Sequence, residues 1–261
     1  MKTTFIVASH QARTLTPLPA PFYEVCVVGD NHILQPGYQY YVDGIPGLNI
    51  PNSAYSEIPA LFSVPKYFPE SEIVGFMHYR RLFTAIPDHP SFKTNRSAQG
   101  NLASNFENRA NMANQLQNRL RIASDEVIIP KALHLSNWTL YSHFSDMHPT
   151  LLTAFIFACQ TFDEKYGIAS GQQSTLEFMQ SCNRGFFWNS FISPRKFYDD
   201  WCALLYSVFQ EMQPLVPSIP IVEGQERWAG YVAERLFTRY VYLMIDQNYW
   251  QFTERSMVFL S

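Results

Sequence analysis

The sequence predicts an α/β fold: a single domain in which helices cover both faces of a mostly parallel sheet. Apolar runs of strand length alternate with longer helical segments along the chain. One of these runs, "EIVGFMHY", is almost continuously apolar, as expected for a central strand that is covered on both faces. The chain has 261 residues, of which 47% are hydrophobic and 16% aromatic, so it can bury a large core.

The first half of the chain predicts three strands, because β-branched and aromatic residues are concentrated in three short runs. Gly and Pro punctuate a loop between residues 30 and 51. The segment "NSAYSEIPALFSV" (residues 52–64) predicts a short helix, with Asn52 or Ser53 as its N-cap. The predicted strands are "TTFIVAS" (Thr3–Ser9), "FYEVCVVG" (residues 22–29) and "EIVGFMHY" (residues 72–79).

The second half begins with a polar stretch rich in Asn and Gln, residues 95–124, which predicts an insertion that carries a surface helix. Two further strands and four helices follow, and Pro194 suits the first turn of the third helix. The predicted strands are "EVIIP" (Glu126–Pro130) and "GFFWNSFIS" (residues 185–193), and the predicted helices are residues 149–166, 174–182, 194–212 and 226–245.

Composition excludes several classes of protein. A net charge of −3 and a pI of about 6.2 give no support to nucleic-acid binding. The cysteines are far apart and form no metal-ligand pattern, so we expect reduced thiols in a cytosolic protein. No apolar run approaches the roughly 20 residues that span a bilayer. The sequence predicts a protein that is soluble or, at most, rests on a membrane surface. The four cysteines of the chain are Cys26, Cys159, Cys182 and Cys202.

The predicted central strand ends in His78, Tyr79, Arg80 and Arg81. Ligands of α/β sheets bind beyond the carboxyl ends of the strands, where this group lies. A single arginine at such a place is usually a solvated surface residue, but the group as a whole favours an anion site. The guanidinium fork grips a phosphate or diphosphate through paired hydrogen bonds. The sequence contains no P-loop and no GxGxxG turn, so side chains would hold the phosphate.

Several segments together resemble a bacterial family of glycosyltransferase-like domains from capsule, exopolysaccharide and O-antigen gene clusters, long labelled as of unknown function. The segments are "GLNIPNSAYSEIPALF", "IVGFMHYRRLF", "FFWNSFISPRKFYDDWCALLYSVF" and "RWAGYVAERL". The chain departs from the family pattern at Pro51, where serine is usual, and in the polar stretch 95–124, which matches nothing in the family. The matching residues are His10, Asn49, Ile50, Asn52, Tyr55, Glu57, residues 78–81, Phe83, Asn189, Phe191, Ile192, Arg227, Gly230, Tyr231, Glu234, Arg235 and Leu236.

The resemblance implies a GT-A-like fold, a Rossmann-type sheet that transfers a sugar from a nucleotide donor. Most such enzymes hold a divalent metal with an Asp-x-Asp at the end of a central strand, and this sequence contains no Asp-x-Asp. By strand order, His78, Tyr79 and Arg80 occupy that place. We therefore expect Arg80 and Arg81, with His78, to replace the metal in stabilising the departing nucleoside diphosphate, with no metal cofactor.

The resemblance also suggests roles for the other matching residues. Tyr231, Arg227 and Glu234 fall on one helical stripe, which could equally be a structural polar face. If transfer inverts the anomeric centre, Glu234 is the expected base, and Arg227 is expected to keep it ionised. We expect the catalytic residues to be Glu234, Arg80 and His78, and the donor-binding residues to be His10, Asn49, Tyr55, Glu57, Arg80, Arg81, Asn189, Arg227 and Tyr231.

Alternatives remain open for single residues. His10 could contact the nucleotide or be a surface histidine, and Glu57 could bond a sugar hydroxyl or orient Arg80. Asn189 lies in a predicted aromatic strand, where sugar hydroxyls or neighbouring backbone could pair its amide. His143 and His148 lack metal-ligand spacing and are expected to be structural or to lie on the acceptor side.

The sequence thus predicts a metal-independent glycosyltransferase of bacterial surface polysaccharide synthesis. The expected donor is a UDP-sugar, and the expected acceptor is a saccharide or a lipid-linked saccharide at the cytoplasmic face of the inner membrane. A non-catalytic domain of the same fold that binds a nucleotide or saccharide is the alternative from another class. A phosphate-ester hydrolase that uses the arginines is a third, but the sequence offers it no nucleophile or metal set.

Overall fold

The strand β4 (Ile73–His78) lies at the centre of the main sheet, and all six of its residues are buried. A computed structural model describes residues 1–9, 18–29, 34, 37–83, 109–120, 122–219, 222 and 226–259. The strands are β1 (Thr3–Ser9), β2 (Phe22–Val27), β3 (Tyr40–Val42), β4, β5 (Arg81–Phe83), β6 (Glu126–Pro130), β7 (Leu133–His134), β8 (Arg184–Gly185), β9 (Phe191–Pro194), β10 (Gln251–Arg255) and β11 (Met257–Phe259).

The main sheet has the strand order β10-β6-β9-β4-β1-β2-β3. The strands β3, β2, β1 and β4 run parallel to one another, as do β10 and β6. The strand β9 runs antiparallel to both of its neighbours, β4 and β6. The short β5 folds back on β4 and pairs with β11, while β7 and β8 form a separate two-stranded sheet. The predicted mostly parallel sheet is confirmed.

Helices cover both faces of this sheet, as predicted. In the described part of the chain, one face packs against α4, through Ala113 and Leu116, and the other against most of the remaining helices. Alternate residues of a strand point to opposite faces, so Ile6 and Ala8 of β1 enter one core cluster and Phe5 enters the other. The helices are α1 (Asn52–Tyr55), α2 (Ile58–Leu61), α3 (Val64–Tyr67), α4 (Arg109–Arg119), α5 (Leu140–Met147), α6 (Leu152–Tyr166), α7 (Thr175–Ser181), α8 (Arg195–Met212) and α9 (Trp228–Asp246).

The predicted strands Thr3–Ser9 and Glu126–Pro130 are confirmed residue for residue. The four helices predicted in the second half of the chain correspond to α6, α7, α8 and α9, whose ends lie within a few residues of the predicted bounds. The helix predicted for residues 52–64 was wrong. This segment forms separate single turns, because Ser56 takes a positive φ of 57° after α1, and Pro59 lies in the first turn of a new helix, α2. Of the predicted insertion, α4 is described and residues 95–108 lie outside the described residues.

The strand predicted for residues 185–193 was also wrong in its middle. The chain leaves β8, in the two-stranded sheet, at Gly185 and enters the main sheet only at Phe191. Between these strands Trp188 and Asn189 both take left-handed backbone conformations, with φ of 77° and 47°. An extended strand cannot contain such residues, so the aromatic pattern of this segment reflects its buried surroundings rather than a continuous strand.

Candidate active site

The carboxyl end of β4 carries the candidate site. The chain turns sharply after His78, so that His78 pairs across the turn with Arg81 of β5. The backbone N–H of Arg80 donates to Nδ1 of His78 at 3.2 Å, and the His78 ring lies 4.4 Å from the Tyr79 ring. Both rings are buried, whereas Arg80 and Arg81 remain partly exposed. The turn therefore uses His78 as an internal support and presents the two arginines at the sheet edge.

Three arginines, Arg80, Arg81 and Arg227, lie near this edge of the sheet. Burial lowers the pKa of Arg81, the acidic groups Glu57 and Glu234 oppose that shift, and the charges of Arg80 and Arg227 add to it. Arg81 therefore lies close enough to all four groups to feel their charge. The guanidinium of Arg80 packs over the Tyr79 ring, with its Cζ 5.2 Å from the ring centroid. A cluster of cations next to two carboxylates can bind an anion and accept a proton in the same place.

Glu57 is one of the two carboxylates, and it is only 7% exposed. It lies between α1 and α2, where it accepts hydrogen bonds from the hydroxyl of Ser56 and from the amide of Asn189, the latter at 3.3 Å. The same Asn189 Nδ2 donates to the carbonyl of Gly230 on α9, also at 3.3 Å. The Asn189 amide therefore has protein partners, and it ties the Glu57 turn to the loop before β9 and to α9.

Gly230 lets α9 approach this turn closely. A Cβ at position 230 would lie 3.3 Å from the carbonyl oxygen of Tyr55 and 3.5 Å from Cβ of Ser56. Ser56, Trp188 and Asn189 have positive φ without being glycine, and all three border the two carboxylates. Backbone strain of this kind persists only where surrounding contacts enforce it, and it concentrates at functional sites.

Glu234 is the second carboxylate. It lies on α9, with 13% of its side chain exposed, and its Oε1 accepts the backbone N–H of Trp188 at 2.9 Å. Burial raises its pKa to about 7 and Glu57 adds to that rise, while Arg235, Arg81 and the Trp188 hydrogen bond oppose it. The expectation that Arg227 keeps this carboxylate ionised was wrong, because burial dominates and the opposing arginines are Arg235 and Arg81. A carboxyl group that titrates near neutral pH suits a general base.

Arg227 and Tyr231 adjoin Glu234, as the helical spacing predicted. Arg227 precedes the first residue of α9, and its carbonyl accepts the backbone N–H of Tyr231 at 3.2 Å. Burial raises the pKa of the Tyr231 hydroxyl, Arg227 lowers it and Glu234 raises it, which places all three side chains together. The Tyr231 ring stacks on His148 at 4.3 Å.

The structure separates other predicted residues from this group. The Tyr55 side chain is fully buried in the core, where it packs against Phe209, so its position does not favour a nucleotide contact. Asn49 is exposed, and its backbone N–H donates to Gln213 at 2.6 Å. His10 lies outside the described residues. Glu57 is coupled electrostatically to Arg81, whereas the sequence suggested Arg80 as its partner.

Sequence reasoning missed several residues that build the site. Ser56 and Trp188 contribute through backbone conformation, which no residue pattern announced. Arg235 and Gly230 belong to the recognised pattern "RWAGYVAERL", but the pattern by itself assigned them no role. His148 was expected to be structural or on the acceptor side, and it packs directly on Tyr231.

Two further features of the described residues bear on function. Nowhere in this part of the chain do three or more His, Cys, Asp or Glu side chains come together in a group that could hold a metal ion. None of the described helices is both long enough and apolar enough to cross a membrane.

Comparison of this chain with known proteins identifies its family and a solved structure with a similar fold. The model of a family described as a domain of unknown function, DUF4422, matches residues 4–247. No functionally curated protein matches the sequence. The apo structure of the bifunctional glycosyltransferase WbbM is similar, with a TM-score of 0.76 and 18% sequence identity. The match covers 100% of this chain and 46% of WbbM, so the chain spans about half of that protein. The fold is that of a glycosyltransferase.

Proposed function

The chain belongs to the DUF4422 family, and we propose that it is a glycosyltransferase. It moves a sugar from a nucleotide donor, a UDP-sugar, to a saccharide or lipid-linked acceptor of a bacterial surface polysaccharide. One observation carries this proposal. At the carboxyl end of β4, in a glycosyltransferase fold, an arginine cluster lies beside the partly buried carboxylate Glu234. Leaving-group stabilisation and proton acceptance, the two requirements of sugar transfer, then lie side by side.

The arginines serve the leaving group. When the bond between the anomeric carbon and the donor's diphosphate oxygen breaks, negative charge develops on the diphosphate. Arg80 and Arg81 stand at the strand end with fixed positive charge and paired donors, so they stabilise that charge as it forms. A divalent metal does not suit this place, because the same guanidinium groups repel it. The proposed enzyme is therefore metal-independent.

Glu234 serves the acceptor in an inverting transfer. The acceptor hydroxyl oxygen forms its bond to the anomeric carbon on the face opposite the diphosphate, and its proton passes to the Glu234 carboxylate. The Trp188 N–H holds one carboxylate oxygen, which limits rotation of the side chain. Asn189 and Glu57 border the same space, where their polar groups can meet hydroxyls of the donor sugar.

A lipid-linked acceptor places the proposed reaction at the cytoplasmic face of the inner membrane. The protein would reach that surface as a peripheral partner of the lipid-linked acceptor.

The test begins with thermal-shift measurements against nucleotides and nucleotide-sugars, followed by detection of released nucleoside diphosphate when saccharide or lipid-linked acceptors are added. We expect a UDP-sugar to stabilise the protein and the diphosphate to be released only with acceptor present. Stabilisation by nucleotides without release from any acceptor would identify a non-catalytic binding domain. Release of inorganic phosphate from phosphate esters would point to a hydrolase. Glu234→Gln is the matched control, because it preserves shape and removes the base.

A further inference from the structure

The helix α9 carries two buried arginines one turn apart, Arg235 and Arg239, and they have similar surroundings. Each is at most 4% exposed, and each donates to a backbone carbonyl: Arg235 to Tyr231 at 3.0 Å and Arg239 to Gln173 at 2.5 Å. Each guanidinium also packs on an aromatic ring. Burying a cation in a protein core carries a large desolvation penalty, so two buried arginines on one helix call for an explanation. The two arginines differ in the side chains that surround them.

Arg239 lies among structural partners. Its guanidinium packs 4.7 Å from the Phe178 ring, and the acidic groups that raise its pKa against the effect of burial are Asp163 and Asp246. Through Gln173 and Phe178 it fastens the α7 region to α9. These contacts account for Arg239 as a structural residue.

Arg235 faces the candidate active site. Its Nη1 lies 3.8 Å from Oε2 of Glu234, while the other oxygen, Oε1, accepts the Trp188 N–H at 2.9 Å. Each oxygen of the carboxylate therefore meets a positively polarised group that the fold supplies. Neither group belongs to the β4–β5 turn that is proposed to bind the donor.

The Arg235 guanidinium is held on several sides. Its Nη2 lies 3.2 Å from Nδ1 of His143, and its Cζ lies 4.8 Å from the Phe144 ring and 5.4 Å from the Phe187 ring. Burial lowers its pKa to about 10, so it stays charged at neutral pH. Burial and the charge of Arg235 also lower the pKa of nearby His148 to about 4, so that imidazole stays neutral. Arg235 is thus a fixed cation that His143 and two aromatic rings hold in place.

Other charges also face Glu234. Glu57 favours its protonated form and Arg81 favours its ionised form, while Tyr231 lies beside it on α9. In the proposed reaction the donor's diphosphate binds Arg81 and neutralises much of its charge. Arg235 is then the cation that continues to oppose Glu57 and the effect of burial. A general base has to be ionised at the moment when the acceptor hydroxyl reacts.

We propose that Arg235 is a positioning residue for the reaction at Glu234: it orients the carboxylate against the Trp188 N–H and holds it in the ionised, proton-accepting form while the donor is bound. This inference rests on the proposed role of Glu234 as the base. Arg235 itself touches neither donor nor acceptor in this scheme.

The test compares Arg235→Met, Arg235→Lys and Arg239→Met with the unaltered full chain. The first measurement is the titration of the Glu234 carboxyl by ¹³C NMR of glutamate-labelled protein, with Glu234→Gln to assign the signal. The Arg235 guanidinium lies 3.8 Å from the Glu234 carboxylate. Removing an opposite charge at such a distance raises a carboxyl pKa by about one unit or more. We expect that shift in Arg235→Met, a partial return in Arg235→Lys and no shift in Arg239→Met.

The second measurement is the pH profile of kcat. In Arg235→Met the acidic limb should move up with the pKa, so that kcat at pH 7 falls about five-fold for one unit and recovers near pH 9. A Glu234 signal that titrates at the same pH in Arg235→Met, Arg235→Lys and the unaltered chain would overturn the inference. The NMR titration requires no turnover, so this failure differs from failure of the proposed function, which is the absence of diphosphate release by the unaltered chain. Arg235→Lys supplies the titration if Arg235→Met does not fold.

Discussion

Asn189 donates a hydrogen bond from Nδ2 to Oε1 of Glu57 at 3.3 Å, across 132 residues of sequence. A second bond from the same amide reaches the carbonyl of Gly230, so one buried side chain joins the turn before α2, the loop before β9 and the helix α9. Asn tolerates the left-handed backbone that this position requires better than most residues do. The relationship explains how segments from both halves of the chain come to share one site.

Replacing this amide by a carboxylate should therefore destabilise the protein. Asn189→Asp removes the donor and places a negative charge beside Glu57, so we expect a loss of roughly 2–4 kcal/mol in the free energy of unfolding. For a chain of this size that corresponds to a fall in Tm of about 4–16 °C. Thermal unfolding at pH 8 measures it. Asn189→Gly is the control, because it keeps the φ of 47° accessible and adds no charge, and it should lose less. Equal losses in the two variants would mean that the repulsion from Glu57 is unimportant.

Arg80 should contribute directly to donor affinity. Arg80→Ala is expected to weaken nucleoside-diphosphate binding by roughly 1.5–3 kcal/mol, the range for hydrogen bonds to charged groups. Arg80→Lys should recover part of this, because lysine supplies the charge without the fork. Isothermal titration with UDP measures both. Arg184→Ala is the control, since Arg184 is an exposed arginine that pairs with Glu254 at 3.2 Å on the surface. Unchanged affinity in folded Arg80→Ala would assign Arg80 to structure.

Glu234 should be needed for turnover and dispensable for donor binding. Glu234→Gln keeps the shape and removes the basicity, so kcat should fall by about 10²–10⁴-fold while donor affinity barely changes. Initial rates of diphosphate release and a binding titration measure the two quantities. Glu226→Gln, two residues before α9, is the matched control and should retain activity. Near-normal turnover in Glu234→Gln would exclude it as the base and direct attention to Glu226.

The same substitution should change stability in a way that depends on pH. The pKa of Glu234 rises from an ordinary 4.5 to about 7 in the folded protein. Between these two pH values the unfolded chain loses a proton that the folded chain keeps, so stability falls as pH rises through this window and stays lower above it. Glu234→Gln removes this effect, so the stability of the variant relative to the unaltered chain should rise by about 2–3 kcal/mol from pH 5 to pH 8. Chemical denaturation of both proteins at the two pH values tests this, and a stability difference that does not change with pH contradicts it.

Activity should persist without divalent metal. The sequence lacks Asp-x-Asp, and Arg80 and Arg81 hold the place at the end of β4. We therefore expect most of the diphosphate release to remain in excess EDTA. Rates measured with EDTA, and again after manganese or magnesium is added back, check this expectation. Activity that disappears with the chelator and returns with the metal would rule out the proposal that the arginines take the role of the metal.

Local sequence patterns were enough to predict the features that depend on near neighbours. Continuous apolar runs located the central strands, since a strand covered on both faces has to be apolar at successive positions. Helical spacing placed Arg227, Tyr231 and Glu234 on one face of a helix, and the order of residues placed Arg80 and Arg81 at the end of β4. Each of these properties is set within a few residues, so a local pattern is enough to reveal it.

Features that depend on distant parts of the chain became visible only in the packed structure. It turned the predicted strand around Trp188 into a left-handed loop, because the contacts of Trp188 with Glu234 and of Asn189 with Glu57 offset the backbone strain there. It also reversed the expected direction of the Glu234 pKa, since the pKa of a carboxyl group follows its burial and its three-dimensional neighbours rather than its place on a helix. Burial and long-range contact are properties of the packed chain, and no run of neighbouring residues encodes them separately.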